Sequence, residues 1–391
     1  MISQILHTPD GVRDIYGDEL VLKNEIINKV YDTFHLNGFK DIETPTFEFF
    51  DVFSKDIGTI PSKELYKFFD KEGNTLVLRP DFTPSVARAL AKYFKEENGP
   101  LKFCYKGNTF INTSEYQGKL KETTQIGVEM VNENSIYADA QMICLVIDTL
   151  LATGLEEFVV SIGDTEFFKG LCSEANITEE IEINLREYIS SKNFYMMREY
   201  LANNDINSDI IDQFGYFSKT YLEIEDLKNL KDLVRNKNAI LALDRLLLLK
   251  DILSKKGYDK YIAFDLSMLS KYHYYTGIIF KAYTYGVGDA IIKGGRYDNL
   301  LEKFGKSASA IGFVVLADEL LTSIMRTGHR DVELKKKVLI TFKEDYLKAD
   351  AKALELRKSG IIADVIKEPS MNKDEFESYV EKGGYSEVIA I

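Results

Sequence analysis

A chain of 391 residues that is 45% apolar, 28% charged and 12% aromatic, with only 7 prolines, has the composition of a folded globular protein. At about 100–200 residues per domain there is length for two or three domains, which excludes a peptide hormone or a disulfide scaffold. The 62 acidic against 49 basic side chains give a formal net charge of -13, which opposes non-specific attraction to nucleic acid or an anionic membrane, although a local basic patch can survive such a total.

Residues 19–37 place Leu20, Val21, Ile26, Ile27, Val30, Tyr31 and Phe34 at helical spacing before Gly38 stops the run. The next segment, FKDIETPTFEFF, contains Pro45, whose missing N–H assigns it to a sheet edge or a strand end. An apolar strand (NTLVLRP), a helix (TPSVARALAKYFKEE) and strands around LKFCYKGNTF and TQIGVEMV follow. Strict βαβ alternation is missing, which predicts an α+β fold with an antiparallel sheet flanked by helices. From about 165 to 255 the pattern is almost wholly helical, as in DLKNLKDLVRNKNAILALDRLLLLKDIL, and reads as an insertion. Strand-like runs return at YIAFDLSML and TGIIFKAYTYG, followed by GGRYDNLLEKFG and the apolar run AIGFVVLADELLTSIM. A polar stretch, RTGHRDVELKKK, then separates a core over 1–325 from a small α/β module over 331–391, built from KVLITF, a helix over 346–358, IIADVIK, a helix over 373–381 and SEVIAI.

General catalytic motifs give near misses only. Gly286-Val287-Gly288 meets Ile291 where a dinucleotide fingerprint needs its third glycine, and Gly305-Lys306-Ser307 has Leu300 where a phosphate loop needs its first; both read as turns. No G-x-S-x-G occurs and no cysteine lies beside a base, so a hydrolase has no support. Cys104, Cys144 and Cys172 form no C-x-x-C, and His7, His35, His273 and His329 show no H-x-H or H-E-x-x-H spacing. No disulfide, metal or other cofactor is expected. The opening residues MISQILHTPDGVRD lack a charged segment followed by an apolar run, and no stretch approaches the ~20 apolar residues of a membrane span. A cytoplasmic protein is expected.

The segments GFKDIETPTFE (38–48), LVLRPDFTPSVAR (76–88) with QIGVEMV (125–131), HYYTGIIF (273–280) and GGRYD (294–298) occur in an order and spacing that resemble the catalytic core of histidyl-tRNA synthetase, a class II aminoacyl-tRNA synthetase. The resemblance covers roughly residues 8–325. It implies a pocket for free histidine at Asp81, Thr83, Gln125, Glu129, Tyr274 and Tyr275. Chemically the set suits that ligand: Asp81 can hold the ammonium with Thr83 and Gln125, while Glu129 and a tyrosyl hydroxyl can bond the imidazole nitrogens. Each position also has a plain structural reading, with the tyrosines as sheet aromatics, Gln125 and Glu129 as an exposed strand face and Asp81 as the cap of the following helix.

Adenylation of an amino acid requires fixed cations around a five-coordinate phosphate, and removing one such donor costs on the order of 10²–10³ in rate. The three arginines that synthetases use there are missing: the matching positions hold Ile111, with Thr113 in place of the accompanying glutamate, Ser270 and Glu319. A legible amino-acid pocket beside a dismantled nucleotide pocket resembles the synthetase paralogues that act as regulatory subunits of ATP phosphoribosyltransferase. LVLRPDFT, DLSMLSKYHYYTG and GGRYDNLL look very like that subfamily. The resemblance implies no catalysis by this chain, a homodimeric core, and assembly with the short-form catalytic subunit into a hetero-oligomer. It further implies activation of that partner and feedback inhibition by free histidine in the first step of histidine biosynthesis. With Ser270 in place of arginine, the ligand carboxylate is expected to bind more weakly or to find another partner such as Lys271. The alternatives are an active histidyl-tRNA synthetase or another ATP-dependent ligase of the same fold. Residues 331–391, with 11 basic and 13 acidic side chains, resemble a shortened anticodon-binding domain that offers no net basic face to tRNA.

Overall fold

The first helical pattern folds as α1 (Gly17–Leu36), with Ile26, Val30 and Phe34 buried at successive turns and Gly38 just beyond it at φ +82°, a backbone state that glycine adopts without strain. The computed structural model describes residues 6–54, 60–112, 120–219, 221–269, 275–328 and 336–391, and the chain divides into two units, Met1–Arg330 and Asp331–Ile391.

In the first unit, the proline-bearing segment is broken into β1 (Lys40–Asp41) and β2 (Phe47–Phe49), which enter different sheets. β2 joins β3 (Lys67–Phe69) and β4 (Thr75–Leu78) in a small antiparallel sheet of order β2-β4-β3, and β4 leads into α2 (Thr83–Tyr93). β5 (Leu101–Phe110) and β6 (Glu122–Val131) pair antiparallel from Leu101↔Val131 to Phe110↔Glu122. Next come α3 (Ile136–Ala152), whose Ser135 cap accepts from the Ala138 N–H, and β7 (Phe158–Asp164). The chain is then helical from Thr165 to Lys255, through α4 (Thr165–Glu174), α5 (Glu179–Ser190), α6 (Phe194–Asn203), α7 (Ser208–Gly215), α8 (Ile224–Leu233) and α9 (Lys237–Lys255). The sheet resumes with β8 (Ile262–Phe264), β9 (Ile278–Thr284), β10 (Ile292–Arg296) and β11 (Ala310–Leu316), and α10 (Ala317–Thr327) follows.

The main sheet has the order β1-β5-β6-β11-β10-β9-β7-β8. Its inner pairings are antiparallel, and only the outermost pairs, β1 with β5 and β7 with β8, are parallel. This is the antiparallel sheet flanked by helices that the missing βαβ alternation implied. One face, carrying Val128, Met130, Phe280, Phe313, Val315 and Ile162, is fully buried, and helices α1, α3, α9 and α10 pack against the strands. Each such side chain contributes about 1.5–3 kcal/mol on burial. The opposite face carries Gln125, Gly127 and Glu129 of β6, Gly312 of β11 and Gly295 of β10, because residues two apart on a strand and residues in register on neighbouring strands share a face.

A buried ion cluster joins the helical segment to the sheet. Asp139 of α3 is wholly buried and accepts from Arg296 of β10 at 2.6 and 3.1 Å and from Arg245 of α9. Burial pushes the Asp139 carboxyl up while the two guanidinium groups pull it down. Arg296 also reaches the Glu133 carbonyl at 3.0 Å and Asp298 at 3.2 Å.

Three strands escape the sequence pattern, the three-residue β3 among them. β10 runs through IKGGR, where paired glycines hide the strand, and β7 carries buried residues on both faces, so no alternation marks it. YIAFDLSML yields only the three-residue β8. Gly286 and Gly305, read as turns, lie at φ +84° and +86°.

The second unit is built from β12 (Lys337–Phe342), α11 (Tyr346–Lys358), β13 (Ile362–Lys367), α12 (Lys373–Lys382) and β14 (Glu387–Ala390). Its parallel sheet has the order β13-β12-β14, and Val338, Ile340, Ala349, Ala353 and Ala363 form the core between sheet and α11. Among the described residues no helix is long and apolar enough to cross a membrane.

Candidate ligand-binding site

The site is assembled on the face of β6 opposite Val128 and Met130, where Tyr105 and Tyr297 also belong to a buried cluster with Phe82, Val86 and Leu90 of the α2 region. Glu129 is 1% exposed, and its carboxylate accepts from the Thr83 hydroxyl at 3.0 Å, the Tyr105 hydroxyl at 3.1 Å and the Tyr297 hydroxyl. Burial pushes the Glu129 carboxyl up to about 8, against the pull of those three donors, and nearby Asp81 adds to the rise. Burial, and then Glu129, pushes the Tyr105 phenol well above its ordinary value, which keeps it a hydrogen-bond donor.

Glycines let these side chains lie flat on the sheet. A Cβ at Gly312 would run into the Glu129 carboxylate, one at Gly127 into the Tyr105 ring, and one at Gly295 would come within 2.6 Å of the Tyr275 ring. The glycines of QIGVEM, AIGFVV and GGRYD thus form a floor for the polar cage. Four residues along β6 from Glu129 and on the same face, Gln125 is buried at 9% exposure, and its Oε1 has no hydrogen-bond partner among the described residues. A buried acceptor of this kind costs free energy unless a donor reaches it.

Asp81 is half-buried ahead of α2 and accepts from the Thr83 N–H at 3.3 Å. Thr83, which the sequence reading put beside the ammonium, donates its hydroxyl proton to Glu129, which leaves the oxygen free to accept. Tyr275 is half-buried over Gly295, and its carbonyl accepts from Lys169 at 3.4 Å and the Thr165 hydroxyl at 3.5 Å, both from α4. Tyr274, Ser270, Lys271 and Thr113 lie outside the described residues. The structure therefore brings Thr83 and Glu129 into direct contact and puts Gln125 and Tyr275 on the same face of the same sheet. Of the positions matched to nucleotide-binding arginines, Ile111 follows the end of β5 and Glu319 stands in the first turn of α10.

Sequence reasoning missed Tyr105 and Tyr297. Tyr297 stood inside the quoted GGRYD, whereas Tyr105 is marked only by its register opposite Gly127, which no local pattern reveals. Elsewhere, His35, Asp41 and Cys104 bring one ligand atom each within 4.8 Å of one another, a grouping drawn from separate elements that sequence spacing could not show. Burial pushes the Cys104 thiol up to about 11, which opposes the thiolate that a metal requires.

A sheet of this order with a buried polar cage on one face defines a class II synthetase-like protein, and the model of the family described as histidyl-tRNA synthetase matches residues 11–320. A histidyl-tRNA synthetase from Nostoc has the same fold, with a TM-score of 0.81 and 21% identity over 97% of this chain and 90% of that one. A crystal structure described as an ATP phosphoribosyltransferase regulatory subunit/histidyl-tRNA synthetase from Bacillus halodurans superposes with a TM-score of 0.88 at 28% identity, covering 99% of this chain and 98% of that one. The ATP phosphoribosyltransferase regulatory subunit of Acetivibrio thermocellus is 37% identical over 374 residues, 95% of this chain and 88% of the relative. That of Ruminiclostridium cellulolyticum is 39% identical over 324 residues, 83% and 77% of the two chains. The chain belongs to the family of ATP phosphoribosyltransferase regulatory subunits.

Proposed function

We propose that this chain is a non-catalytic, histidine-sensing subunit that activates a short-form ATP phosphoribosyltransferase and transmits feedback inhibition to it, the chemistry residing in the partner chain. It works in the cytoplasm as a homodimeric core within a hetero-oligomer. The observation that carries the sensor reading is the buried Oε1 of Gln125, unpartnered among the described residues, on the same face of β6 as the enclosed carboxyl of Glu129. An ammonium donates to Gln125 and Asp81, and an imidazole nitrogen meets Glu129 and the Tyr275 side of the cage. Tyr274 belongs to the same proposed pocket. Ile111 and Glu319 support the non-catalytic half of the reading, since neither supplies a cation to a triphosphate and Glu319 supplies an anion.

Calorimetric titration with histidine tests the pocket: the wild type binds, and Glu129→Ala and Tyr275→Ala weaken binding. Unchanged affinity in both variants removes the assignment. Histidine-dependent ATP–pyrophosphate exchange is expected to be absent, and clear exchange would restore the active-synthetase alternative.

A further inference from the structure

An amino-acid zwitterion brings a carboxylate as well as an ammonium, and among the described residues the cage above offers that carboxylate no cation. The Asp81 carboxyl and the Gln125 Oε1 are acceptors, and the protonated Glu129 carboxyl brings no positive charge, so a carboxylate bound there lacks a charged partner. The missing charge stands on the same face of the sheet. The register row through Gly127 continues to Val314 of β11, Lys293 of β10, Lys281 of β9 and Ser161 of β7, so both lysines share the face of Gln125 and Glu129. Lys281 lies three strands from Gly127, about 14 Å at the usual strand spacing, a gap that a lysine stem and a bound amino acid span together.

Among the described residues the neighbouring cations are already engaged. Lys293 pairs with Asp289 at 3.1 Å, Lys169 with Glu166 at 2.8 Å, and Lys192 with Ser267 and Asp265. Lys281, half-buried, makes no hydrogen bond or ion pair among the described residues. Its enclosure, and then the like charge of Lys293, lowers the pKa of its ammonium from the ordinary value, against the weaker pull of the Asp289 and Asp265 carboxylates, so an anion brought close to it would be favoured.

We infer that Lys281 is the cation that meets the α-carboxylate of the amino-acid ligand, with Lys293 adding positive charge behind it. This rests on the histidine reading above. It makes the sensor selective for the complete amino acid over its decarboxylated amine.

The test compares histidine with histamine, which keeps the imidazole and the ammonium but lacks the carboxylate, by calorimetry on the wild type, Lys281→Met, Lys281→Arg and Lys293→Met. The wild type favours histidine. Lys281→Met lowers histidine affinity about ten- to a hundredfold and leaves histamine affinity unchanged, Lys281→Arg restores most of the loss, and Lys293→Met has a smaller effect. If the methionine variant does not fold, as judged by its circular dichroism, the arginine variant still decides, because it must keep the preference for histidine over histamine. Equal losses for both ligands, or no loss for either, overturns the role of Lys281 while leaving the histidine pocket standing. A wild type that binds neither ligand overturns the pocket itself. If Lys281→Met instead abolishes binding of inorganic phosphate and leaves the histidine preference intact, the lysine serves a phosphate and the inference fails.

Discussion

Glu129 is buried and held by three hydroxyls, and its two protonation states are closely balanced because burial favours the acid while the donors favour the anion. With the folded value near 8 and the unfolded value near 4.5, the native state holds a proton that the unfolded chain has released throughout that window. Stability contributed by this group is therefore complete below about pH 4.5 and is lost as pH rises to 8. Glu129→Gln carries no such titration, so its stability relative to the wild type should improve with rising pH across the window, by at most about 1.4 kcal/mol per unit. Urea melts of both proteins at several pH values between 5 and 8.5 check this, and parallel stability curves would show that Glu129 is already ionised at low pH. The same proton shapes ligand binding. Near neutrality the free pocket holds one proton and free imidazole is mostly neutral, so a complex that shares one proton needs none from solvent. Histidine affinity should be level from about pH 6.5 to 8 and fall above it, with proton uptake seen as a buffer-dependent heat. Tyr297→Phe removes one donor from the carboxyl and should raise this upper limit.

At the scale of elements, the helices α4 and α9 reach the site through its supports. α4 holds the Tyr275 carbonyl through Thr165 and Lys169, and α9 reaches Asp139 through Arg245, opposite Arg296 at the end of β10. Arg296→Ala leaves a buried carboxylate with only Arg245 and should destabilise the fold by roughly 3–5 kcal/mol. Arg245→Ala should cost less, because that side chain is 28% exposed and its loss admits water. A urea midpoint that moves more for Arg245 than for Arg296 would contradict this ranking. Such long-range pairs mark the limit of the sequence. Amphipathic helices such as α1, strands with turn signals such as β5 and β6, and the whole β12–β14 module were legible because their information is local. The link from Asp139 to Arg296 spans 157 positions and leaves no periodic trace. The site divided in the same way: Glu129 and Gln125 could be read from one short motif, while Tyr105 emerged only when the hairpin register set it over Gly127.

For the whole molecule, the net charge of -13 argued only softly against tRNA charging, and the residue-level picture is sharper: Glu319 in the first turn of α10 and a second unit without basic excess. Full-length protein is accordingly expected to show no salt-sensitive tRNA retardation in a gel; a steep loss of a tRNA complex between low and moderate salt would contradict that. If histidine binding and partner binding are coupled, each must change the other by the same free energy, so the catalytic subunit should alter histidine affinity as histidine alters assembly. The most direct measurement is ATP phosphoribosyltransferase activity of a short-form catalytic subunit, assayed alone, with this chain, and with this chain plus histidine. Activity that rises on adding the chain and falls on adding histidine, with the fall abolished by Glu129→Ala, is the predicted result. A catalytic subunit indifferent to this chain, or inhibited by histidine equally without it, would contradict the account.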